Sequence, residues 1–203
     1  RSCIWPASGS LCGYYYTTNY NWNFYPETSC SRLQFWHGQA IKKMAHIEFK
    51  NLRKEYGSTV AVKELNLEID DGEFLVLVGP SGCGKTTTLR MIAGFEDPTI
   101  GEILMDGKVI NELEPRDRNI GMVFQSHALF PHKTIYDNIE FGLRMKKIPD
   151  DERRLIVREV AEMVHITPLL DKRPGQLSGG ESQRVALART LVTKPSTFLL
   201  DEP

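Results

Sequence analysis

Two short apolar runs that end in polar chemistry, with helix-forming segments between them, predict an α/β fold built on a parallel sheet. The first run, FLVLV at 74–78, leads into GPSGCGKTTT; the second, TFLL at 197–200, leads into DEP. A third observation is the alternation of apolar and polar residues between 47 and 69, which predicts an antiparallel portion beside the main sheet.

The first 43 residues differ from the rest in texture. They hold all 3 Trp, and three of the 4 Cys (Cys3, Cys12 and Cys30). The stretch YYYTTNYNWNFY keeps neither a period of 2 nor one of 3.6. No basic segment leads into an apolar one, so it does not read as a secretory signal. Ordinary globular sequence begins at Met44. The expectation is a domain over 44–203, preceded by a non-native or disordered extension over 1–43. Because the chemistry downstream belongs to a reducing compartment, the cysteines are not expected to pair.

Ile47–Leu52 and Val60–Ile69 read as two strands joined at Gly57-Ser58, with Leu65, Leu67 and Ile69 on one face. Phe74–Val78 is wholly apolar, as expected of a central parallel strand buried on both faces. Residues 79–86 then match G-x-x-x-x-G-K-[ST] at every fixed position. In such a loop Gly79, Gly82 and Gly84 permit backbone torsions that turn successive N–H groups toward phosphate oxygens. Pro80, Ser81 and Cys83 fill the variable positions, Cys83 as a small residue without a redox role. Lys85 reaches the β- and γ-phosphates, Thr86 offers a hydroxyl to Mg²⁺, and Thr87 completes the ATP-binding set. The next helix points its positive end at the phosphates, buries Leu89, Ile92 and Ala93, and stops at Gly94. This is the phosphate loop, or Walker A, of a P-loop NTPase core.

Thr197–Leu200 reads as a second strand of the same sheet, its end next to that of 74–78. Ligands gather at the carboxyl ends of strands in open α/β sheets. Asp201 then suits the Walker B role at Mg²⁺, and Glu202 that of general base for the attacking water. Earlier, Ile156, Val160, Met163 and Val164 form an amphipathic stripe, and Asp150–Arg154 a solvated helix start. His127, His132 and His165 lack metal-ligand spacing, so Mg²⁺ is the only metal expected.

PGQLSGGESQRVALART, 174–190, contains a capping box in which Ser178 is the N-cap and Glu181 the third helical residue. Val185, Ala188 and Val192 line the helix's core face. A capping box does not explain two adjacent glycines. Leu177-Ser178-Gly179-Gly180-Glu181 with its glutamine-arginine helix resembles the signature motif of ABC-type ATPases, a resemblance running from about Ala45 to Pro203. Glu181-Ser182-Gln183 departs slightly from the glutamine-rich run of many relatives. The resemblance implies a signature that meets, in trans, the ATP held by a second subunit. It also implies an aromatic that stacks on adenine, here Tyr56, and a glutamine near Mg²⁺ and the attacking water, here Gln125. An antiparallel β-subdomain and a helical signature subdomain would flank the core.

Residues 94–149, above all ALFPHKTIYDNIEFGL, resemble the sugar-importer branch of that family, the maltose/maltodextrin and glycerol-phosphate types. This second resemblance implies an ATP-hydrolysing subunit at the cytoplasmic face of the plasma (inner) membrane. It would work as a homodimer with transmembrane permease subunits and, through them, a solute-binding protein. The family's D-loop aspartate, switch histidine and regulatory domain have no counterpart here. The fold is therefore expected to be incomplete at its C-terminus, and the fragment to bind nucleotide weakly and hydrolyse it poorly. Two alternatives stay open: a soluble ABC-type ATPase acting on nucleic acid or ribosomes, and a nucleotide-binding module without turnover. A net charge of −1 argues against nucleic acid. No apolar run approaches the ~18 residues of a membrane helix.

Overall fold

A computed structural model describes residues 14–17 and 44–201. The rest of the 1–43 extension, with Cys3, Cys12 and Cys30, lies outside the described residues, as do Glu202 and Pro203. The chain forms two compact units, 1–118 and 119–203.

In the first unit, β1 is Tyr14–Thr17. β2 (Ile47–Tyr56) and β3 (Thr59–Ile69) make the expected hairpin, turning at Gly57, φ 59°. β2 runs on to Tyr56, four residues past the sequence expectation, through register shifts that bend the ladder. Ile47, Phe49 and Leu52 point into the core, while Leu65, Leu67 and Ile69 share a half-buried face. β4 (Leu75–Val78) pairs antiparallel with β1. This corrects the expectation of a central strand buried on both faces. Phe74, Val76 and Val78 are 56%, 38% and 44% exposed, whereas Leu75 and Leu77 are half-buried. Exposure follows the strand period of 2, and an all-apolar run cannot announce that alternation.

Helix α1 (Lys85–Ala93) buries Thr88, Met91, Ile92 and Ala93. Leu89, expected on the core face, is half-buried, and Met91 is fully enclosed instead. Gly94 ends the helix as expected, in the left-handed region at φ 82°. β5 (Ile100–Met105) pairs with β2, and β6 (Lys108–Val109) with β5, giving the sheet order β3-β2-β5-β6. The unit closes on Arg118, which is only 3% exposed. Its guanidinium donates to the carbonyls of Met91 (2.7 Å), Ile92 (3.0 Å), Asn111 (2.8 Å) and Leu113 (2.8 Å). Two of these belong to the last turn of α1, whose carbonyls have no partner inside the helix. A cation there also meets the negative end of the dipole. Burial lowers the Arg118 pKa, and the charge of Asp97 opposes that shift.

His46 precedes β2. Its Nε2 lies 3.4 Å from Glu68 and its Nδ1 3.6 Å from Asp70. One potential ligand atom from each of His46, Glu68 and Asp70 lies within 4.8 Å of the others, with the two carboxylates exposed.

In the second unit, β7 (Ile120–Val123) and β8 (Thr197–Leu200) form a parallel ladder in which Ile120 faces Thr197 and Val123 faces Leu200. Parallel pairing is thus seen; 74–78 and 197–200 each pair within their own unit, β4 with β1 and β8 with β7. Between β7 and β8 come α2 (Ile135–Met145), α3 (Asp150–Met163) and α4 (Gly179–Leu191). They enclose one core that includes Ile135, Ile139, Leu143, Val157, Val160, Ile166 and Val185. Val185, Ala188 and Val192 are buried as expected. In α3 the buried face is Val157, Val160 and Ala161, and Met163, expected inside, is 47% exposed. Arg153 is not merely solvated: its guanidinium pairs with Glu140 on α2 and donates to the Ile148 carbonyl (2.7 Å) and to Asp150 (2.7 Å). A Cβ at Gly121 would lie 2.3 Å from Thr190 Cγ2, so α4 packs directly on the β7 backbone.

Helix α4 starts at the expected capping box. The Glu181 carboxylate accepts from Ser178 N (2.7 Å) and Oγ (2.7 Å), and Ser178 Oγ accepts from Glu181 N (3.4 Å). These bonds, the Ser178 amide first, hold the Glu181 pKa below its usual 4.5.

Two outcomes test these contacts. Gly94→Ala must adopt a left-handed φ and would place Cβ 2.7 Å from Arg118 Nε. It is expected to lower stability by about 1–3 kcal/mol, read from the urea midpoint. Glu181→Ala is expected to be less stable than wild type above pH 4.5, with the gap shrinking as pH falls through the depressed Glu181 pKa. Thermal melts across that range measure it, and a gap that does not change with pH would rule out the carboxylate as the stabilising form.

Candidate functional site

The loop after β4 is pressed against β3. Gly84 is the N-cap of α1 at φ 97°, and a Cβ there would lie 2.6 Å from the Ala61 carbonyl and 3.0 Å from Val62 Cγ2. Both the torsion and the contact require glycine. No acidic residue occupies the first turn of α1, so its N–H groups and positive end are available to an anion. Lys85 Nζ donates to the carbonyls of Gly79 (2.7 Å) and Pro80 (3.0 Å) and lies 3.8 Å from Cys83 Sγ. The ammonium is thus held over the loop by the loop's own first residues. Cys83 is a half-buried free thiol, and Ser81 and Gly82 are exposed.

Tyr56 stands beside this loop. Its hydroxyl hydrogen-bonds the Glu96 carboxylate, and the Thr87 hydroxyl also bears on it. Burial, and after it Glu96, raises the Tyr56 pKa. The ring is 47% exposed, with Lys54 Nζ 5.0 Å from its centroid. Glu96 also lies 3.7 Å from both Lys54 and Arg90. The structure therefore brings together Tyr56, Thr87 and the phosphate loop. It adds Glu96 as the group that orients the tyrosine, which no motif spacing had marked.

In the second unit, Gln125 follows β7 and Asp201 follows β8. The Asp201 N–H donates to the Val123 carbonyl (3.0 Å), so both residues stand at the carboxyl ends of adjacent parallel strands. Asp201 is 8% exposed. Thr86, on α1, belongs to the first unit. Hydroxyl, amide oxygen and carboxylate are all hard oxygen donors, a set that fits Mg²⁺. Glu202 lies outside the described residues.

Ser178, Gly179 and Gly180 are exposed at the start of α4, while Leu177 packs on the helical core. A Cβ at Gly179 would meet nothing within 4 Å, and one at Gly180 only Arg184 Nη1 at 3.9 Å. Neither glycine has a positive φ. The fold itself demands no glycine at these two positions, whereas a partner that approaches the backbone closely would.

Two polar side chains that sequence reasoning missed hold the loop after Gln125. Asn138, fully buried on α2, donates to the carbonyls of Phe130 (3.2 Å) and Thr134 (2.8 Å) and accepts from Phe130 N (2.7 Å). Arg189, on α4, donates to the carbonyls of Ala128 (2.7 Å) and His127 (3.1 Å). Neither has a local signal: Asn138 sits one residue past an acid, and Arg189 reads as a surface charge in a helix.

The family model described as ABC transporter matches residues 62–203. The trehalose/maltose import ATP-binding protein MalK of Thermococcus litoralis is 52% identical over 166 residues, covering 79% of this chain and 45% of the relative. The sn-glycerol-3-phosphate import ATP-binding protein UgpC of Bordetella avium is 50% identical over 161 residues, with coverages of 79% and 45%. The chain thus spans less than half the length of these curated relatives. Among solved structures, the dimeric ABC transporter cassette MJ0796 superposes with a TM-score of 0.70 at 38% identity, covering 77% of this chain and 74% of that one. An ADP- and phosphate-bound form of the same cassette gives 0.69 at 37%, with coverages of 77% and 74%. Phosphate loop, signature helix, superposition and family match agree, and the chain belongs to the ABC transporter family.

Proposed function

We propose that the chain carries the ATP-binding machinery of a subunit that hydrolyses ATP to drive import of a sugar or related carbohydrate. The carrying observation is the phosphate loop: a left-handed Gly84 opens α1, and Lys85 is fixed above the loop by the Gly79 and Pro80 carbonyls. Phosphate oxygens would be received by the loop N–H groups, the N-terminus of α1 and the Lys85 ammonium. The Tyr56 face would stack on adenine, oriented by Glu96.

Thr86, Gln125 and Asp201 would hold Mg²⁺, which when bound neutralises phosphate charge. Gln125 would orient the attacking water, with Glu202 accepting its proton. Phosphoryl transfer asks the protein mainly for positioning and charge stabilisation, and the residues named supply both. Ser178 and the two exposed glycines would meet ATP bound to a second copy of the chain. Supporting that pairing, the cassette MJ0796 is dimeric. Ser178 would first have to share its hydroxyl with the incoming phosphate, since Glu181 now accepts it.

Carbohydrate as cargo rests on the relatives, which are import ATP-binding proteins for trehalose and maltose, maltodextrin and glycerol phosphate. Selection of the solute would lie in transmembrane partners, since among the described residues no helix is long and apolar enough to cross a membrane. The subunit would then sit at the cytoplasmic face, docked on those partners.

Binding of a fluorescent ATP analogue tests the core of this reading. Lys85→Ala removes a charge-assisted bond to phosphate of about 1.5–3 kcal/mol, so affinity should fall about 10- to 150-fold. Equal affinity of wild type and variant, with both folded, would overturn the assignment.

A further inference from the structure

We propose that Arg189 is a positioning residue that locks the Gln125 loop to the signature helix, so that Gln125 acts only while that clamp is made. The proposal rests on the ATPase reading above and names a residue that reading did not use.

The loop is locally strained. His127 and Ala128 both lie in the left-handed region, at φ 58° and 47°. Neither is glycine, and such torsions persist only where the surroundings enforce them. Within the loop, His127 N donates to Phe124 O (2.8 Å), closing a turn over Gln125 and Ser126, and Ala128 N donates to Ser126 O (2.7 Å), closing a tighter one over His127. The fork of Arg189 takes the outward carbonyls of the same two strained residues, at 2.7 and 3.1 Å. Its guanidinium carbon lies 5.9 Å from the centroid of the Phe130 ring. One planar fork with two parallel donors fits two successive carbonyls, which a single ammonium does not. Burial holds the Arg189 pKa below its usual value, so the charge is kept in a poorly solvated place for these contacts.

The anchor is rigid. Arg189 is part of α4, whose N-cap is Ser178 and whose Val185, Ala188 and Thr190 are buried. Arg189 lies eleven positions after Ser178, about 16 Å along the helix at about 1.5 Å per residue. Asn138 fixes the far side of the loop, at Phe130 and Thr134. Between these holds, Gln125 has its backbone set by turns that Arg189 closes. A shift of α4 when its N-terminus meets nucleotide would be passed to Gln125 through a single side chain.

The test uses the full-length protein assembled with its membrane partners. Arg189→Met is expected to lower kcat for MgATP at least tenfold while nucleotide Kd changes less than threefold. In a Gln125→Ala background the same substitution is expected to add no further loss, the signature of one acting through the other. Arg189→Lys, which keeps charge and one carbonyl bond, should fold even if the methionine variant does not, and should show a smaller loss of the same kind. An unchanged kcat, or losses that multiply in the double variant, would overturn the proposal. Amide hydrogen exchange gives a readout that does not depend on turnover. Residues 126–129 should exchange faster in the variant while the α4 amides stay protected. If wild type hydrolyses no ATP, the functional reading fails, and unchanged exchange would separately sink the clamp.

Discussion

Backbone groups that no helix or ladder can pair must still be satisfied, and much of this chain's architecture depends on where it does so. The last turn of α1 ends in carbonyls that need donors, and Arg118 supplies them while spanning to Asn111 and Leu113. Because of that clasp the C-terminus of the phosphate-loop helix has a fixed place. Gly94 is confined by it, since a Cβ there would run into the guanidinium. The other end of the same helix carries no acidic residue in its own first turn. A helix tied down at its negative end and open at its positive end is suited to phosphate.

The second unit solves the same problem with other side chains. Asn138 uses both its donor and its acceptor on the loop after Gln125, and Arg189 uses its fork. Polar groups of this kind are costly to bury and cost more when half-satisfied, so they fix geometry sharply. That the loop bears two non-glycine residues at positive φ is understandable only with such holds in place. The helical core of Ile135, Val157 and Val185 supplies the stability that the loop itself lacks.

How much of this was legible in the sequence depends on how local each cause is. The phosphate loop, the Gly57 turn, the Gly94 stop and the Ser178–Glu181 box are set by residues a few positions apart, and all four stand where the spacing placed them. Periodicity placed Val185, Ala188 and Val192 correctly. It misjudged Leu89 and Met163, because a helix's buried arc depends on what packs against it. The all-apolar run at β4 could not say whether one face or two would be covered. Arg118, Asn138, Arg189 and Glu96 were invisible for one reason: their partners are remote in sequence or are backbone atoms, which carry no sequence mark. Arg189 and its carbonyls are more than sixty residues apart.

In the function proposed above, the signature and the Gln125 loop would have separate tasks at a nucleotide site, one meeting phosphate and the other placing water. Here both belong to the same buried helix by direct contact, one at its cap and the other through Arg189. A rigid helix carries a shift along its axis from one end to the other. A contact that draws Ser178 along that axis toward a phosphate would therefore also load the carbonyls of His127 and Ala128, where the backbone is already strained. Strain at a loop that bears a catalytic candidate, held by a residue of the helix proposed to meet the ligand, would let either end bias the other. Hydrolysis before the signature is seated would then be disfavoured by geometry, without any added inhibitory group.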